Sequence, residues 1–348
     1  MKSWTFRLET ACFLVFSTVI ACSGDPAGSP SAGAADAAGG ADAVEGTAAA
    51  TAMREDAGRA PAAQGGSAAA GSSGARSTSP PAGASGGVAG ASAPSPQVAP
   101  TLVGDVTFSV PSQTFRGELQ VALAMKAGEA EIRYTTDGTL PTASSMLYSG
   151  ALHLTATTQL RAQAFVMGAA SGTPSTAIYI ARTFDLTSDL PIVVVDGYGG
   201  AKPTDKDVYK NAAFMVFEPV SGTASIAAVP TIASRAGYHV RGQSSARLPQ
   251  TPYRIELWNN ADADEDYALL GMPADSDWAL IPPYYDRALI RNPLVFQLGR
   301  DIGLNAPRVR FAEVYVNYEA RPLAATDYLG VYWITETIKN NAARLDIK

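Results

Sequence analysis

Apolar and polar residues alternate in short runs between Phe108 and Ile180. A period of two is typical of strands that have one face on a core and the other in water. The clearest runs are 119–123, 131–134 and 159–165, and turn residues such as Asp137-Gly138 separate them. About seven short strands fit this stretch, which indicates an all-β, Ig-like sandwich domain over residues 101–182.

The pattern changes after residue 185, where nearly continuous β-branched runs favour buried strands. A strand beginning at Gly237 is followed by a Gly/Ser turn at 242–245. Further strands are predicted at 190–196, 213–218, 252–258, 309–316 and 328–335. An α+β domain is therefore expected over residues 185–348.

One amphipathic helix is predicted inside this second domain. Apolar residues recur at every fourth position, namely Ile290, Leu294, Leu298 and Ile302. We expect Asn292 to cap this helix, Pro293 to lie in its first turn and Gly303 to end it.

The N-terminal hundred residues have a different composition. The apolar run Ala11–Ala21 follows Lys2 and Arg7 and is too short to cross the roughly 30 Å of hydrocarbon in a bilayer as a helix. Residues 1–21 are therefore predicted to be a signal peptide. Residues 22–100 are nearly all Ala, Gly, Ser, Pro and Thr without an aromatic residue, so we expect a disordered tether. The chain as a whole is predicted to be multidomain.

Charge and rare residues exclude several classes of function. A net charge of -6 with 17% charged residues provides no basic stripe, which argues against nucleic acid as a partner. The two cysteines, Cys12 and Cys22, both lie in the N-terminal apolar segment, so no disulfide or thiolate metal site is expected in the folded part. His153 and His239 occupy strand-like alternations and are predicted to face solvent rather than to act as catalytic or metal-binding residues.

The end of the predicted signal peptide, Val19-Ile20-Ala21-Cys22, resembles the bacterial lipobox. This resemblance implies that Cys22 becomes the first mature residue and carries a lipid that binds the membrane. Ser23 favours sorting of an exported protein to the outer membrane or cell surface. The alternative is an ordinary signal peptide that contains a cysteine.

Residues 132–142, together with Tyr148 and the string Leu160-Arg161-Ala162, resemble the chitobiase/β-hexosaminidase C-terminal-like sandwich. That module commonly accompanies secreted carbohydrate-active enzymes and surface proteins, so Tyr134 and Tyr148 are candidates for stacking on a glycan. The alternative is that both tyrosines pack the sandwich and that the module is a spacer.

The second domain resembles the CotH kinase family, which comprises atypical kinases of the spore-coat-protein type and their bacterial surface relatives. The strings that carry the resemblance are Arg241-Gly242-Gln243-Ser244-Ser245, Leu270-Gly271-Met272-Pro273 with Asp277-Trp278, Leu289-Ile290-Arg291-Asn292, and Gly330-Val331-Tyr332 with Glu336. The family implies a kinase-like N-lobe, ATP with Mg²⁺ or Mn²⁺, and a surface protein as substrate.

Seven residues are candidates for contacting the nucleotide: Arg241, Gly242, Ser244, Ser245, Arg254, Arg291 and Glu336. Arginine forks and backbone N–H groups of a Gly/Ser turn are the donors that phosphates require. The alternative for the arginines is ion pairing with Glu256, Asp275, Asp277 or Asp286. The sequence departs from the family where Gln250 follows Pro249, since a lysine is usual there, and no lysine occurs between Lys210 and Lys339.

The family's order also implies that catalytic and metal-binding aspartates follow the last strand. We therefore expect that the chain is a fragment or a truncated product, with no catalytic residue of its own and no activity alone. Two functions are consistent with the sequence. The first is an exported, lipid-anchored, CotH-like kinase with a sandwich as accessory module, and the alternative is a noncatalytic, glycan-associated surface binding or scaffold protein.

Overall fold

The computed structural model describes residues 97–98, 102–125, 130–342 and 344–345. The predicted signal peptide, Cys22 and nearly all of the predicted tether lie outside these residues. Among the described residues, no helix is both long enough and apolar enough to cross a membrane. Strands dominate this part of the chain, which includes a single α-helix.

Nine strands form the first region, which is consistent with the predicted sandwich. They are β2 (Val106–Phe108), β3 (Gln113–Phe115), β4 (Leu119–Val121), β5 (Leu123–Met125), β6 (Glu131–Thr135), β7 (Met146–Leu147), β8 (Leu152–Leu154), β9 (Thr158–Val166) and β10 (Ala169–Ala181). One sheet has the order β3-β10-β9-β6-β7, and two short pairs, β2-β5 and β4-β8, accompany it. Val121, Leu160 and Tyr179 are fully buried in the core of this region.

The second region is built on one large sheet. Its strands are β1 (Gln97–Val98), β12 (Ile192–Asp196), β13 (Lys210–Phe217), β15 (Ile232–Val240), β16 (Tyr253–Trp258), β17 (Asp277–Ile281), β18 (Val309–Asn317) and β19 (Tyr328–Glu336). A small pair, β11 (Thr187–Ser188) and β14 (Ala224–Ser225), lies apart from it. The order is β1-β15-β13-β12-β18-β19-β17-β16, and β16 also pairs with β15. This last pairing closes seven strands into a ring, which we call the barrel, with β1 attached to β15.

The attachment of β1 differs from the sequence expectation. Gln97 and Val98 were assigned to the tether, yet they pair in parallel with Ile232 and Ala233 of β15. Backbone hydrogen bonding to a sheet edge does not require the apolar side chains by which strands are recognised in a sequence.

The interior of the barrel is filled by alternate residues of its strands. Tyr253, Ile255 and Leu257 of β16 are at most 1% exposed, whereas the residues between them are half-buried. Trp278 and Tyr332 complete this core from the neighbouring strands. The alternation in the sequence of β16 therefore separates residues that face the barrel interior from residues that face outward.

The two histidines have different surroundings. His153 is exposed and lies beside Glu118, as the prediction of a solvent-facing residue requires. The same prediction is wrong for His239, which is 8% exposed. His239 does point away from the barrel core, but the ring of Tyr209 covers it at a centroid distance of 4.5 Å. Its Nδ1 lies 2.8 Å from the carbonyl oxygen of Val240.

The helix α1 spans Arg291–Asp301, close to its predicted position. Pro293 lies in its first turn and Gly303, with φ +85°, follows its end. Asn292 does not cap it, because Asn292 is already inside the helix. The N-cap residue is Ile290, and Asp286, four residues before it, accepts the backbone N–H of Arg291 on Oδ2 at 2.8 Å. None of the helix residues is buried, and Leu294 and Leu298 are 52% and 53% exposed.

The sandwich and the barrel are packed together along β10. Ile178 and Ile180 of this strand are fully buried in a cluster with Val194 and Phe217 of the barrel wall. Asn260, beyond the end of β16, donates from Nδ2 to the carbonyl oxygen of Pro174 at 2.9 Å. The accessory module is therefore joined to the barrel by a shared apolar core as well as by polar contacts.

Candidate functional site

The seven predicted nucleotide residues lie in three places. Arg241, Ser245 and Arg291 line one cavity beside the barrel. Gly242 and Ser244 line a second cavity on the other face of the same turn. Arg254 and Glu336 line neither of these cavities. Each forms an ion pair on the outside of the barrel instead.

The first cavity, which we call the aromatic cleft, has a volume of about 380 Å³. Its apolar wall follows the end of β17, where Pro282 and Pro283 lack the N–H groups that would continue the ladder. The chain then turns, with the Asp286 N–H donating to the Pro283 carbonyl at 3.0 Å. This turn places Tyr284 and Tyr285 in the cleft, opposite the start of α1.

Trp333 of β19 also lines the aromatic cleft. Its indole Nε1–H donates to the carbonyl oxygen of Leu289 at 2.8 Å, and its side chain is largely buried. Tyr284 and Tyr285 are 42% and 79% exposed, and their rings meet edge to face at 5.1 Å. The cleft therefore combines one fixed aromatic ring with two that are open to a ligand.

Two arginines supply the positive charge of the aromatic cleft. Arg241 makes no ion pair within the described part of the chain, whereas Nε of Arg291 lies 3.5 Å from Oδ1 of Asp286. Asp286 is itself held by the backbone N–H groups of Ala288 and Arg291. The alternative of ion pairing is thus correct for Arg291, through one nitrogen, but not for Arg241.

The turn between the two cavities depends on glycine. Gly242 has φ +82°, a left-handed conformation that favours glycine. A Cβ at this position would lie 2.2 Å from the hydroxyl oxygen of Ser245. Ser245 faces the aromatic cleft and Ser244 faces the second cavity, so the turn forms a wall with a different lining on each side.

Arg254 belongs to a cluster of charges outside the barrel. Its Nη2 lies 2.7 Å from Oδ1 of Asp277, and Lys339 contacts both Asp277 and Asp275. Burial acts to lower the pKa of Arg254, but the hydrogen bonds and charges of Asp277 and Tyr209 together outweigh it and raise the pKa. Burial acts to raise the pKa of Asp275, yet the backbone N–H of Asp277 and the ammonium of Lys339 bring that pKa below its usual value. Arg254 is therefore paired with Asp277 through Nε and Nη2.

Glu336 is 6% exposed and has two arginine neighbours. Oε1 lies 2.8 Å from Nη1 of Arg308, and Arg344 lies farther away at 3.6 Å. Its Oε2 also accepts the backbone N–H of Arg308 at 2.7 Å. These contacts join the end of β19 to the start of β18.

The residues that form the aromatic cleft and the strings around them match a known family model. Residues 238–347 match the CotH kinase protein family. Residues 110–176 match the chitobiase/beta-hexosaminidase C-terminal domain, in the order that the sequence indicated. No curated protein matches the chain. The CotH match begins at the end of β15, so β12 and β13 of the barrel precede it.

Sequence reasoning missed the aromatic members of the cleft in the CotH region. Trp333 lies within the predicted strand 328–335, and neither Tyr284 nor Tyr285 is assigned an element or a role from the sequence. The signal that could have indicated them is the pair of tyrosines directly after two prolines, because aromatic rings at the end of a strand are placed where a ligand can stack.

The carboxylates of the described residues do not form a metal cage. Within these residues there is no group of three or more His, Cys, Asp or Glu side chains arranged to hold a metal ion. Asp286, the carboxylate of the aromatic cleft, already accepts two backbone N–H groups. The cleft thus offers aromatic surface and cationic donors to a ligand.

Proposed function

We propose that the CotH region is the nucleotide-binding part of a kinase-like phosphotransferase and that ATP binds in the aromatic cleft. The observation that carries this proposal is the combination of open aromatic rings with Arg241, a cation without a carboxylate partner in the described chain. The volume of the cleft lies within the usual range of roughly 300 to 1,000 Å³ for small-molecule sites.

The adenine base would lie against the aromatic wall. A flat base can stack on any aromatic side chain that exposes a ring face, and each stacked base contributes about 1–3 kcal/mol to the binding free energy. Tyr285 is suited to this role because its side chain is 79% exposed, whereas the largely buried Trp333, fixed by its hydrogen bond to Leu289, adds rigid apolar surface to the cleft. Tyr284, which is partly exposed, would close over the base.

The phosphates would lie toward Arg241 and Arg291. An arginine presents a planar fork of donors that matches phosphate oxygens. Arg241 keeps its whole fork for a ligand, and the pair between Arg291 and Asp286 involves Nε, which leaves the Nη groups of Arg291 for the phosphates. Ser245, on the same side of the turn, adds a hydroxyl donor.

The described residues suit a nucleotide better than a protein-held Mg²⁺ or Mn²⁺ ion. Phosphates supply part of the coordination of Mg²⁺ in nucleotide sites, together with one or two carboxylates. The carboxylate in the cleft, Asp286, is occupied by backbone donors and by Arg291. No step of the proposed function is therefore assigned to a metal.

We also propose that the protein is exported and anchored through a lipid on Cys22, with the sandwich and the CotH region at the outer membrane or cell surface. The support is the string Val19-Ile20-Ala21-Cys22 after a short apolar run. Labelled palmitate should enter the wild-type protein and not a Cys22→Ser variant. A variant that still carries the label would contradict the anchor.

The nucleotide proposal is tested by titrating the purified chain with ATP, AMP and adenosine in a calorimeter. Arg241→Gln should weaken ATP binding about 10- to 150-fold and leave adenosine binding nearly unchanged, because a charge-assisted hydrogen bond contributes roughly 1.5–3 kcal/mol. Tyr284→Ala should weaken all three ligands. Arg287→Gln is the matched control, since Arg287 is exposed and does not line the cleft.

Two results would contradict the nucleotide proposal. One is a wild-type chain that binds none of the three ligands. The other is ATP affinity that is the same in Arg241→Gln, Tyr284→Ala and Arg287→Gln, since binding would then occur elsewhere on the protein.

A further inference from the structure

A second cavity lies on the other face of the Gly/Ser turn. It has a volume of about 790 Å³ and is open to solvent. We call it the basic pocket, and its charged members are Lys202, Lys206 and Arg247. These three cations come from two separate segments of the chain, one before β13 and one after β15.

The basic pocket has an uncompensated positive charge. No Asp or Glu is among its lining residues, and none of its three cations makes an ion pair within the described residues. Asp205 and Asp207 flank Lys206 in the sequence, but neither lines the pocket or forms an ion pair with a cation of the described residues, and Oδ1 of Asp205 accepts the backbone N–H of Asp207 at 2.7 Å. In a chain with a net charge of -6, such a concentration of cations requires an explanation.

Lys202 is held in place rather than free to move over the surface. Its Nζ donates to the hydroxyl oxygen of Thr251 at 2.7 Å. Thr251 is fully buried, and its own hydroxyl donates to the carbonyl oxygen of Leu248 at 3.1 Å. A fixed ammonium group loses less side-chain entropy when it binds an anion than a mobile one does.

The turn itself adds backbone donors to the basic pocket. The N–H groups of Gly242, Gln243 and Ser244 donate to no acceptor within the described part of the chain. Gly242 is left-handed and Ser244 is right-handed. Backbone N–H groups that lack an acceptor in a turn beside a cavity are available to bind an anion.

Gln250 precedes Thr251 in the loop that holds Lys202. The side chain of Gln250 does not face the basic pocket, because its Nε2 donates to the carbonyl oxygen of Leu329 at 2.8 Å. Gly330 makes room for it, since a Cβ there would lie 2.3 Å from that nitrogen. Gln250 thus joins the loop to β19, while its neighbour Thr251 holds Lys202.

We propose that the basic pocket binds a phosphoryl group and that Lys202, Lys206 and Arg247 supply the positive charge that holds it. The phosphoryl group has two sources. It is either the terminal phosphate of a nucleotide whose base lies in the aromatic cleft, or part of a separate phosphorylated ligand. Only the first source rests on the proposed function.

The experiment uses inorganic pyrophosphate and ATP as probes of the purified chain in a calorimeter. Lys206→Met is the first variant, because Lys206 makes no hydrogen bond in the described residues and its loss should not disturb folding. The second is the double variant Lys202→Met with Lys206→Met, and Arg287→Gln is again the control. Pyrophosphate affinity should fall several-fold in the first variant and at least tenfold in the second, with no change in the control.

The ATP arm distinguishes the two sources. If the phosphate belongs to the nucleotide, Lys206→Met weakens ATP but not adenosine, and pyrophosphate competes with ATP. If it belongs to a separate ligand, pyrophosphate binds equally well to the chain saturated with ATP. The inference is overturned if neither probe binds more weakly to the double variant than to the control. A wild-type chain that binds pyrophosphate but not ATP would instead refute the proposed function and leave the basic pocket standing.

Discussion

Asp196, at the end of β12, is a carboxyl group that is 1% exposed. The backbone N–H of Tyr198 and the Nδ2 of Asn317 each donate to one of its oxygens at 2.9 Å. Burial raises its pKa to about 6 from the usual 3.8, and the two hydrogen bonds only partly oppose this effect. In the folded protein the carboxyl group therefore keeps its proton to a higher pH than in the unfolded chain.

This difference predicts a pH dependence of stability. As pH rises from about 4 to 7, the unfolded chain loses the Asp196 proton first, so the free energy of unfolding falls. The fall is roughly 3 kcal/mol for pKa values of 3.8 and about 6. Asp196→Asn cannot ionise, so its stability relative to wild type should rise over this range in urea titrations. The exposed Asp189→Asn serves as control, and parallel pH profiles for wild type and Asp196→Asn would contradict the prediction.

The residues of the candidate site were predicted unevenly, for physical reasons. Arg241 and Ser245 follow a strand and precede a loop, so their place beside a turn was readable from the sequence. Lys202 lies about forty positions earlier, and no periodicity relates it to the turn that it approaches. Its role depends on Thr251, a residue whose burial follows only from the closed barrel.

Among the elements, α1 shows that an apolar pattern does not by itself mean burial. Its position was predicted correctly from the spacing of Ile290, Leu294, Leu298 and Ile302. Yet the face that they form is at least half exposed in the described chain. The pattern of a helix specifies which side is apolar, while contact with another element decides whether that side is covered.

This exposure leads to a prediction about stability. Leu294→Gln combined with Leu298→Gln should lower the free energy of unfolding by less than about 1 kcal/mol, because little buried area is lost and Gln has nearly the helix propensity of Leu. Leu280→Ala, inside the barrel at 0% exposure, should cost about 2–5 kcal/mol. Denaturant unfolding compares the two, and similar costs would show that α1 is covered in the protein.

The strands were predicted more successfully than their arrangement. β18 and β19 lie within one residue of the predicted 309–316 and 328–335. Closure of the sheet could not be predicted, because it requires β12 to pair in parallel with β18, which comes from a distant part of the chain. The same limit explains His239, since alternation gave its face correctly but not the covering ring of Tyr209.

At the scale of the molecule, β10 belongs to two cores. Ala177, Tyr179 and Ala181 face the sandwich core, whereas Ile178 and Ile180 face the barrel. Because one strand contributes to both cores, unfolding of either core should destabilise the other. Tyr134 and Tyr148 pack against the sandwich core, as the spacer alternative requires, although the shared strand joins this module to the barrel more closely than a simple spacer would be.

We accordingly expect the sandwich and the barrel to unfold together. Trp258, Trp278 and Trp333 lie on barrel strands and report its unfolding by fluorescence, while hydrogen exchange at β9 reports the sandwich. Both signals should change at the same urea concentration. Ile180→Ala should lower the free energy of unfolding by about 2–5 kcal/mol. The urea midpoints of both signals should therefore fall by the same amount.

The control for this experiment is Leu147→Ala, because Leu147 is 48% exposed on the sandwich edge. It should leave both midpoints almost unchanged. Two separate transitions in the wild-type protein, or an Ile180→Ala variant that moves only one of them, would mean that the shared strand does not couple the two regions.

The closed sheet also bears on how the protein can be divided. A fragment cut at residue 238, where the family match begins, would lack β12, β13 and most of β15. β18 would then lose its parallel partner and present a bare row of backbone donors and acceptors, next to an opened apolar interior. Such an edge recruits other chains, so this fragment should form insoluble aggregates when produced in cells, whatever its affinity for nucleotides.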